Sequence, residues 1–181
     1  MSVVPVACVR PTQSLQRTRK AARRFTSASG RKESMSPMQE PMTLHGGCHC
    51  RRVRIEFTTR QELRATVPRA CDCSFCTKHG AAYVSDPAGQ LRIVSSGPSA
   101  LRSYRQGSGT AEFRLCPACG VLVAVTFEHD GRLYGAVNAT CLDGGLEFAP
   151  SIPASPQALS PKQKVARWLE VWVPDVQVTG T

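Results

Sequence analysis

The sequence predicts a mainly β domain, and three observations carry that reading. Short apolar runs, alternating or continuous, recur without any sustained 3.6-residue period. Turn signals separate them, at Asp86-Pro87, Gly97-Pro98, Gly107-Ser108-Gly109, Asp130-Gly131 and Asp143-Gly144-Gly145. Cysteines arrive in closely spaced sets suited to stapling distant strands through a metal ion.

Taken in order, residues 1 to about 43 read as a flexible basic arm and residues 44–181 as one domain. The arm is rich in Arg, Ser, Thr and Pro, and its eight basic residues against Glu33 and Glu40 give it a net charge of +6. The remainder is only mildly positive at +4, which suits an anionic small substrate more than nucleic acid. Such an arm fits an interaction tail, an organelle presequence over residues 1–34, or a start upstream of a true first residue at Met35, Met38 or Met42.

Within the domain, Val53, Ile55 and Phe57 alternate with Arg52, Arg54 and Glu56, as on a half-buried strand. Further strands are expected at Leu91–Val94, Leu101–Tyr104, Ala111–Leu115, Val121–Phe127 and Arg132–Val137. Residues Ala149 to Pro161, with four prolines, read as an irregular loop before a final strand or helical turn over Trp168–Val173. No run reaches the roughly 18 to 20 apolar residues of a membrane span, and no secretory signal opens the chain. A reducing, cytoplasmic setting is the expectation, one in which clustered cysteines bind metal more often than they form disulfides.

The domain cysteines sort into Cys48-His49-Cys50, then Cys71-Asp72-Cys73-Ser74-Phe75-Cys76, then Cys116-Pro117-Ala118-Cys119-Gly120, with Cys141 alone and Cys8 in the arm. Cys116 and Cys119 form a knuckle whose turn lets both sulfurs converge on one ion. If the triplet makes a site of its own, Cys48 and Cys50 are the pair left to complete four ligands around a structural zinc. The triplet then holds a second zinc with one open position, the arrangement of a catalytic rather than a structural site. Two other groupings stay open at this point: the knuckle with two cysteines of the triplet, or His79 closing the triplet so that both zincs are structural. His49 reads as pointing away from the metal, His45 as a turn residue, and Cys141 as a small buried residue beside a turn.

His45-Gly46-Gly47-Cys48-His49-Cys50, the CDCSFC stretch, Leu115-Cys116-Pro117-Ala118-Cys119-Gly120 and Val137-Asn138-Ala139-Thr140-Cys141-Leu142-Asp143 together resemble the glutathione-dependent formaldehyde-activating enzyme family, which includes centromere protein V. The resemblance spans about residues 43–175. It implies a β-tent fold of the Mss4-like type, two zincs per chain and carbon–sulfur lyase chemistry. It also implies that Cys48, Cys50, Cys116 and Cys119 hold the closed zinc, and Cys71, Cys73 and Cys76 the open one. The family reaction joins formaldehyde to glutathione. The chain departs from the family pattern after Cys50, where Arg51-Arg52 replaces a usual Gly and a small or variable residue.

The leading expectation is therefore a zinc-dependent lyase or thiol-adduct enzyme acting on a glutathione-type thiol and a small aldehyde. His79, Asp72 and Asn138 are the polar residues nearest the motifs, each read first as a surface or turn residue, and Arg51, Arg52 and Arg54 are cations read first as a solvated strand face and second as receivers of glutathione carboxylates. One alternative is a non-catalytic zinc-stabilised module whose basic arm binds nucleic acid or protein, against which stand the sparse aromatics, 6% of residues. Another is a methionine sulfoxide reductase, for which Cys141 is the one domain cysteine outside the metal sets.

Overall fold

The computed structural model describes residues 40–180. The arm before Glu40, with Cys8 and the possible presequence, lies outside the described residues. The described chain runs β1 (Met42–Gly47), β2 (Val53–Thr59), β3 (Arg69–Cys71), α1 (Ser74–Lys78), β4 (Ala82–Val84), β5 (Gln90–Ser95), β6 (Arg102–Tyr104) and β7 (Glu112–Leu115). It continues through β8 (Leu122–His129), β9 (Arg132–Asn138), β10 (Ile152–Ala154), α2 (Pro161–Val171) and β11 (Val176–Gly180). It is mainly β, in two sheets: β1-β2-β5-β11 and β10-β3-β4-β9-β8-β7-β6. Pairing is antiparallel except at β10 with β3 and β11 with β5.

The alternation in β2 does what its period dictates. Val53, Ile55 and Phe57 are buried, pair with Ser95, Ile93 and Leu91 of β5, and face Val84, Val123, Val137 and Val173 in the core. The continuous run Leu122 to Phe127 instead marks a strand buried on both faces: Val123 and Ala124 belong to that core, Leu122, Val125 and Phe127 to a second one. Asp130 and Gly131 both take positive φ, 49° and 71°, so the β8–β9 hairpin turns in the two residues that its right-handed twist favours.

At the chain end, of the strand or helical turn expected over Trp168–Val173, the helical alternative holds. Trp168 to Val173 is not a strand: Trp168 lies in α2, and Trp172 caps it. Ser160 accepts from the Gln163 backbone N–H while the Gln163 side chain accepts from the Ser160 N–H, and Pro161 starts the helix. Ser-Pro-x-Gln is thus a capping box with proline at the first turn, a helix-start signal in a segment whose Trp and Val favour strands. The two indoles stack at 4.7 Å and each meets Phe127 at 5.3–5.4 Å, which seats α2 over the second core. Each such buried aromatic contributes on the order of 1.5–3 kcal/mol by leaving water. The segment expected to be irregular, 149–161, contributes β10 to the sheet edge, and His45 sits in β1 rather than in a turn.

Asp86, in the β4–β5 turn, is 4% exposed and accepts from Thr59 Oγ1 (2.6 Å) and from the backbone N–H of Arg60 (3.1 Å) and Ala88 (2.9 Å). Burial opposes its ionisation, but these donors outweigh it and hold its pKa below the usual carboxylate value. A lowered folded pKa stabilises above the unfolded value of about 3.9, and the stabilisation is lost as pH falls through the folded one. Asp86→Asn is expected to cost about 1.5–3 kcal/mol at pH 7, with the gap to wild type closing below about pH 4, as read by urea unfolding across pH.

Candidate metal centres and an adjoining cavity

Four sulfurs meet where the ends of β1 and β7 approach. Those of Cys48, Cys50, Cys116 and Cys119 all lie within 4.8 Å of one another, Cys48 to Cys50 at 3.6 Å and Cys50 to Cys116 at 3.5 Å. A disulfide needs about 2.0 Å. Sulfurs on a zinc at about 2.3 Å stand about 3.8 Å apart in a tetrahedron, so this set fits such an ion. All eight described cysteines are free thiols.

The local backbone explains the convergence. A Cβ on Gly46 would stand 2.0 Å from the Cys141 carbonyl oxygen, so only glycine lets β1 approach the Cys141–Leu142 backbone there. The Cys48 N–H donates to the Val53 carbonyl (2.9 Å), and the Val53 N–H donates to Cys48 Sγ (3.2 Å). Across from it, Gly120 at φ +75° closes the knuckle by donating to the Cys116 carbonyl (2.8 Å). Arg51 takes φ +62°, the left-handed conformation that glycine favours, which accounts for the family's usual glycine after Cys50. Its guanidinium pairs with Asp143.

The protons of this cluster are unevenly held. Burial pushes Cys48 up to about 12. Burial also opposes ionisation of Cys119, but backbone donors from Cys50 and Val121 and the neighbouring thiols bring it down to about 6. Close thiols cannot all ionise by themselves, and a divalent cation removes that conflict.

The second cluster is built by the end of β3 and the first turn of α1. Cys71, Cys73 and Cys76 bring their sulfurs within 4.8 Å of one another. Cys73 caps α1, its sulfur accepting from the Cys76 N–H (3.4 Å) and from Gln106 Nε2 (3.4 Å). The Tyr83 hydroxyl lies 3.3 Å from Cys76 Sγ. The hydrogen bond with Cys76, helped by donors at Cys73, lowers Cys71 to about 6. Cys76, beside that thiolate and buried, shifts upward. Burial, then the nearby thiolate charge, raises the Tyr83 phenol, which therefore keeps its proton.

Among the described residues no fourth His, Cys, Asp or Glu converges on the triplet. The His79 ring packs on Phe75 at 4.6 Å and lines a different cleft, beside Cys48 and Cys119. The triplet instead faces a cavity of about 190 Å³, whose lining includes Tyr83, Gln106, Arg69 and, from α2, Lys164, Arg167 and Trp168.

The other sequence candidates fall elsewhere. His49, Arg52 and Arg54 are exposed, and Arg51 borders the His79 cleft, so none of the three arginines reaches the cavity beside the triplet. Asp72 is exposed and accepts from Ser155 Oγ. Asn138 is buried, donating to the Leu122 carbonyl (2.9 Å). Apart from the three cysteines, the cavity residues were not singled out from sequence as a site, because the lining comes from six separate segments that only the fold brings together. The Ser160–Gln163 capping box was the one local signal toward any of them.

A family model described as glutathione-dependent formaldehyde-activating enzyme matches residues 43–156. The chain belongs to this family. No curated protein matches the chain. Among solved structures, a Rhodobacter sphaeroides protein studied as a structural-genomics target aligns with a TM-score of 0.45 and 25% identity, covering 76% of this chain and 100% of that one. The region matched to the formaldehyde-activating family holds all seven clustered cysteines and ends before α2. Among the described residues, no helix is long and apolar enough to cross a membrane.

Cys141, the thiol outside both clusters, is 4% exposed and its S–H donates to the Leu122 carbonyl (3.4 Å). Burial pushes it up to about 11, so at pH 8 only about one molecule in a thousand carries the reactive thiolate. Iodoacetamide at pH 8 is expected to leave Cys141 unlabelled in the folded protein and to label it on unfolding, read by peptide mass spectrometry. Rapid labelling of the folded protein would restore Cys141 as a nucleophile.

Proposed function

We propose that this chain is a zinc-dependent carbon–sulfur lyase or thiol-adduct enzyme, joining or parting a glutathione-type thiol and a small aldehyde in S-hydroxymethylglutathione-type chemistry. The observation that carries the proposal is a three-thiol cluster lining a cavity, while a separate four-thiol cluster is complete without it. On this reading Cys48, Cys50, Cys116 and Cys119 hold a structural zinc, and Cys71, Cys73 and Cys76 a second zinc open to ligand. All seven thiols then work in a reducing, cytoplasmic compartment. Family membership supports the thiol and the aldehyde as reactants.

When bound, zinc with three thiolate ligands supplies a Lewis acid that lowers the pKa of a thiol at its fourth position. The protein groups around it keep the ligand sulfurs in place. Tyr83 donates its phenolic proton toward Cys76 Sγ, and Gln106 donates its amide proton to Cys73 Sγ, which fixes both ligands and tempers their charge. The apolar walls, among them Phe113 and Trp168, exclude water from the reacting atoms. In the joining direction the substrate sulfur adds to the aldehyde carbon. The carbonyl π pair moves to oxygen, which takes up a proton, and the lyase direction reverses these steps.

Elemental analysis is expected to find two zincs per wild-type chain and one after Cys73→Ser, whereas Cys116→Ser is expected to lose cooperative folding at 37 °C along with the structural ion. Zinc-edge absorption is expected to count about 3.5 sulfurs per zinc at rest and about 4 after glutathione is added, since one ion of the two gains a ligand. Two bound zincs whose sulfur shell ignores glutathione would defeat the catalytic reading.

A further inference from the structure

The cavity beside Cys71, Cys73 and Cys76 carries three cations, Arg69, Lys164 and Arg167. None of them forms an ion pair with a described carboxylate; the described pairs lie elsewhere, on Arg51, Arg64, Arg92, Arg105, Arg114 and His129. Gathering like charges in a half-enclosed space is costly, and Arg69 is half-buried there. Arg69 is nonetheless fixed in place: it donates to Ser85 Oγ, which in turn donates to the Val171 carbonyl at the end of α2.

The cysteine cluster does not neutralise this charge by itself. Three thiolates around one divalent ion sum to −1, against three cations. A substrate thiolate adds one more negative charge and still leaves the cations in excess, so an anionic group beyond the sulfur balances the site. Arg is suited to that role because its planar fork grips a carboxylate with two hydrogen bonds.

Lys164, Arg167, Trp168 and Val171 follow one another at i, i+3, i+4 and i+7, so a single face of α2 is turned to the cavity. That helix, Pro161–Val171, lies beyond residues 43–156, the extent of the family match. The matched region supplies the sulfurs, and the C-terminal helix supplies most of the charge above them.

We propose that Arg69, Lys164 and Arg167 form the specificity element of this site, receiving the carboxylates of an anionic thiol substrate and discriminating against neutral thiols. The proposal rests on the thiol-binding reading of the cavity. It assigns selection to α2, so the preference for charged thiols travels with the helix rather than with the cysteines.

The test uses S-methylglutathione, whose blocked sulfur separates carboxylate recognition from metal coordination, alongside its dimethyl ester, in which both carboxylates are neutralised. Titration calorimetry on the full zinc-loaded chain is expected to show the acid binding at least about tenfold more tightly than the ester, with the difference shrinking as salt rises. Arg167→Gln and Lys164→Gln, at positions exposed and half-buried on the helix surface, are each expected to weaken the acid about five- to tenfold and to leave the ester unchanged. Circular dichroism of both variants checks that α2 persists. Equal affinity for acid and ester, wild-type affinity in both variants, or no binding of the acid at millimolar concentration would overturn the proposal. A zinc sulfur shell that ignores glutathione, with charge-selective binding of the blocked compound intact, would instead remove the thiol-coordination reading and leave the carboxylate site standing.

Discussion

Four sulfurs drawn from two different sheets meet within 4.8 Å, and the rest of the structure depends on that meeting. Cys48 and Cys50 follow β1 of the four-stranded sheet, and Cys116 and Cys119 follow β7 of the seven-stranded one. Neither a disulfide nor four unscreened thiolates can satisfy this geometry, the first because 3.5 Å is too far and the second because like charges in a buried site repel. A divalent cation satisfies it, and the free energy of binding that cation then becomes free energy of folding. On the proposed reading the sheets are tied at this corner, and β3 and α1 present three further cysteines to a cavity without being needed as staples.

That division separates stability from chemistry. The four-thiol set offers the four ligands of a tetrahedron and sits beside the glycine-dependent approach of β1 to Cys141. The three-thiol set has polar donors on its sulfurs, apolar walls and a rim of cations. Its surroundings are those of a site that receives something: three cations unpaired with any described carboxylate and a cluster one ligand short of a tetrahedron. The two clusters differ in what the fold places around them, more than in the cysteines themselves.

Much of this was legible before the fold was known, and the parts that were not share a cause. The alternation of Val53, Ile55 and Phe57 and the continuous run from Leu122 to Phe127 announce strands because side-chain period follows backbone geometry directly. The knuckle at Cys116–Cys119 is equally local. β3, β4 and β10 are three-residue strands that exist only because neighbours pair with them, so no period could develop in them. Trp168 and Trp172 favour strands by propensity, yet the Ser160–Gln163 capping box and the packing on Phe127 place Trp168 in the helix and Trp172 at its cap. Tyr83, Gln106, Arg69 and Arg167 are far apart in sequence and become a site through tertiary packing alone. Arg51 is an instructive case: its cationic side chain suggested a solvated face first and substrate binding second, and its exposed pairing with Asp143 and its backbone at φ +62° give it a role in the turn.

The central claim is that one zinc is closed and the other open to thiol. Anomalous diffraction at the zinc edge, on crystals grown with glutathione, tests it most directly. The account predicts two peaks per chain, one touched by Cys48, Cys50, Cys116 and Cys119 alone, the other by Cys71, Cys73, Cys76 and the glutathione sulfur. A single peak, or a second peak whose fourth ligand is a protein side chain in the presence of glutathione, would contradict it.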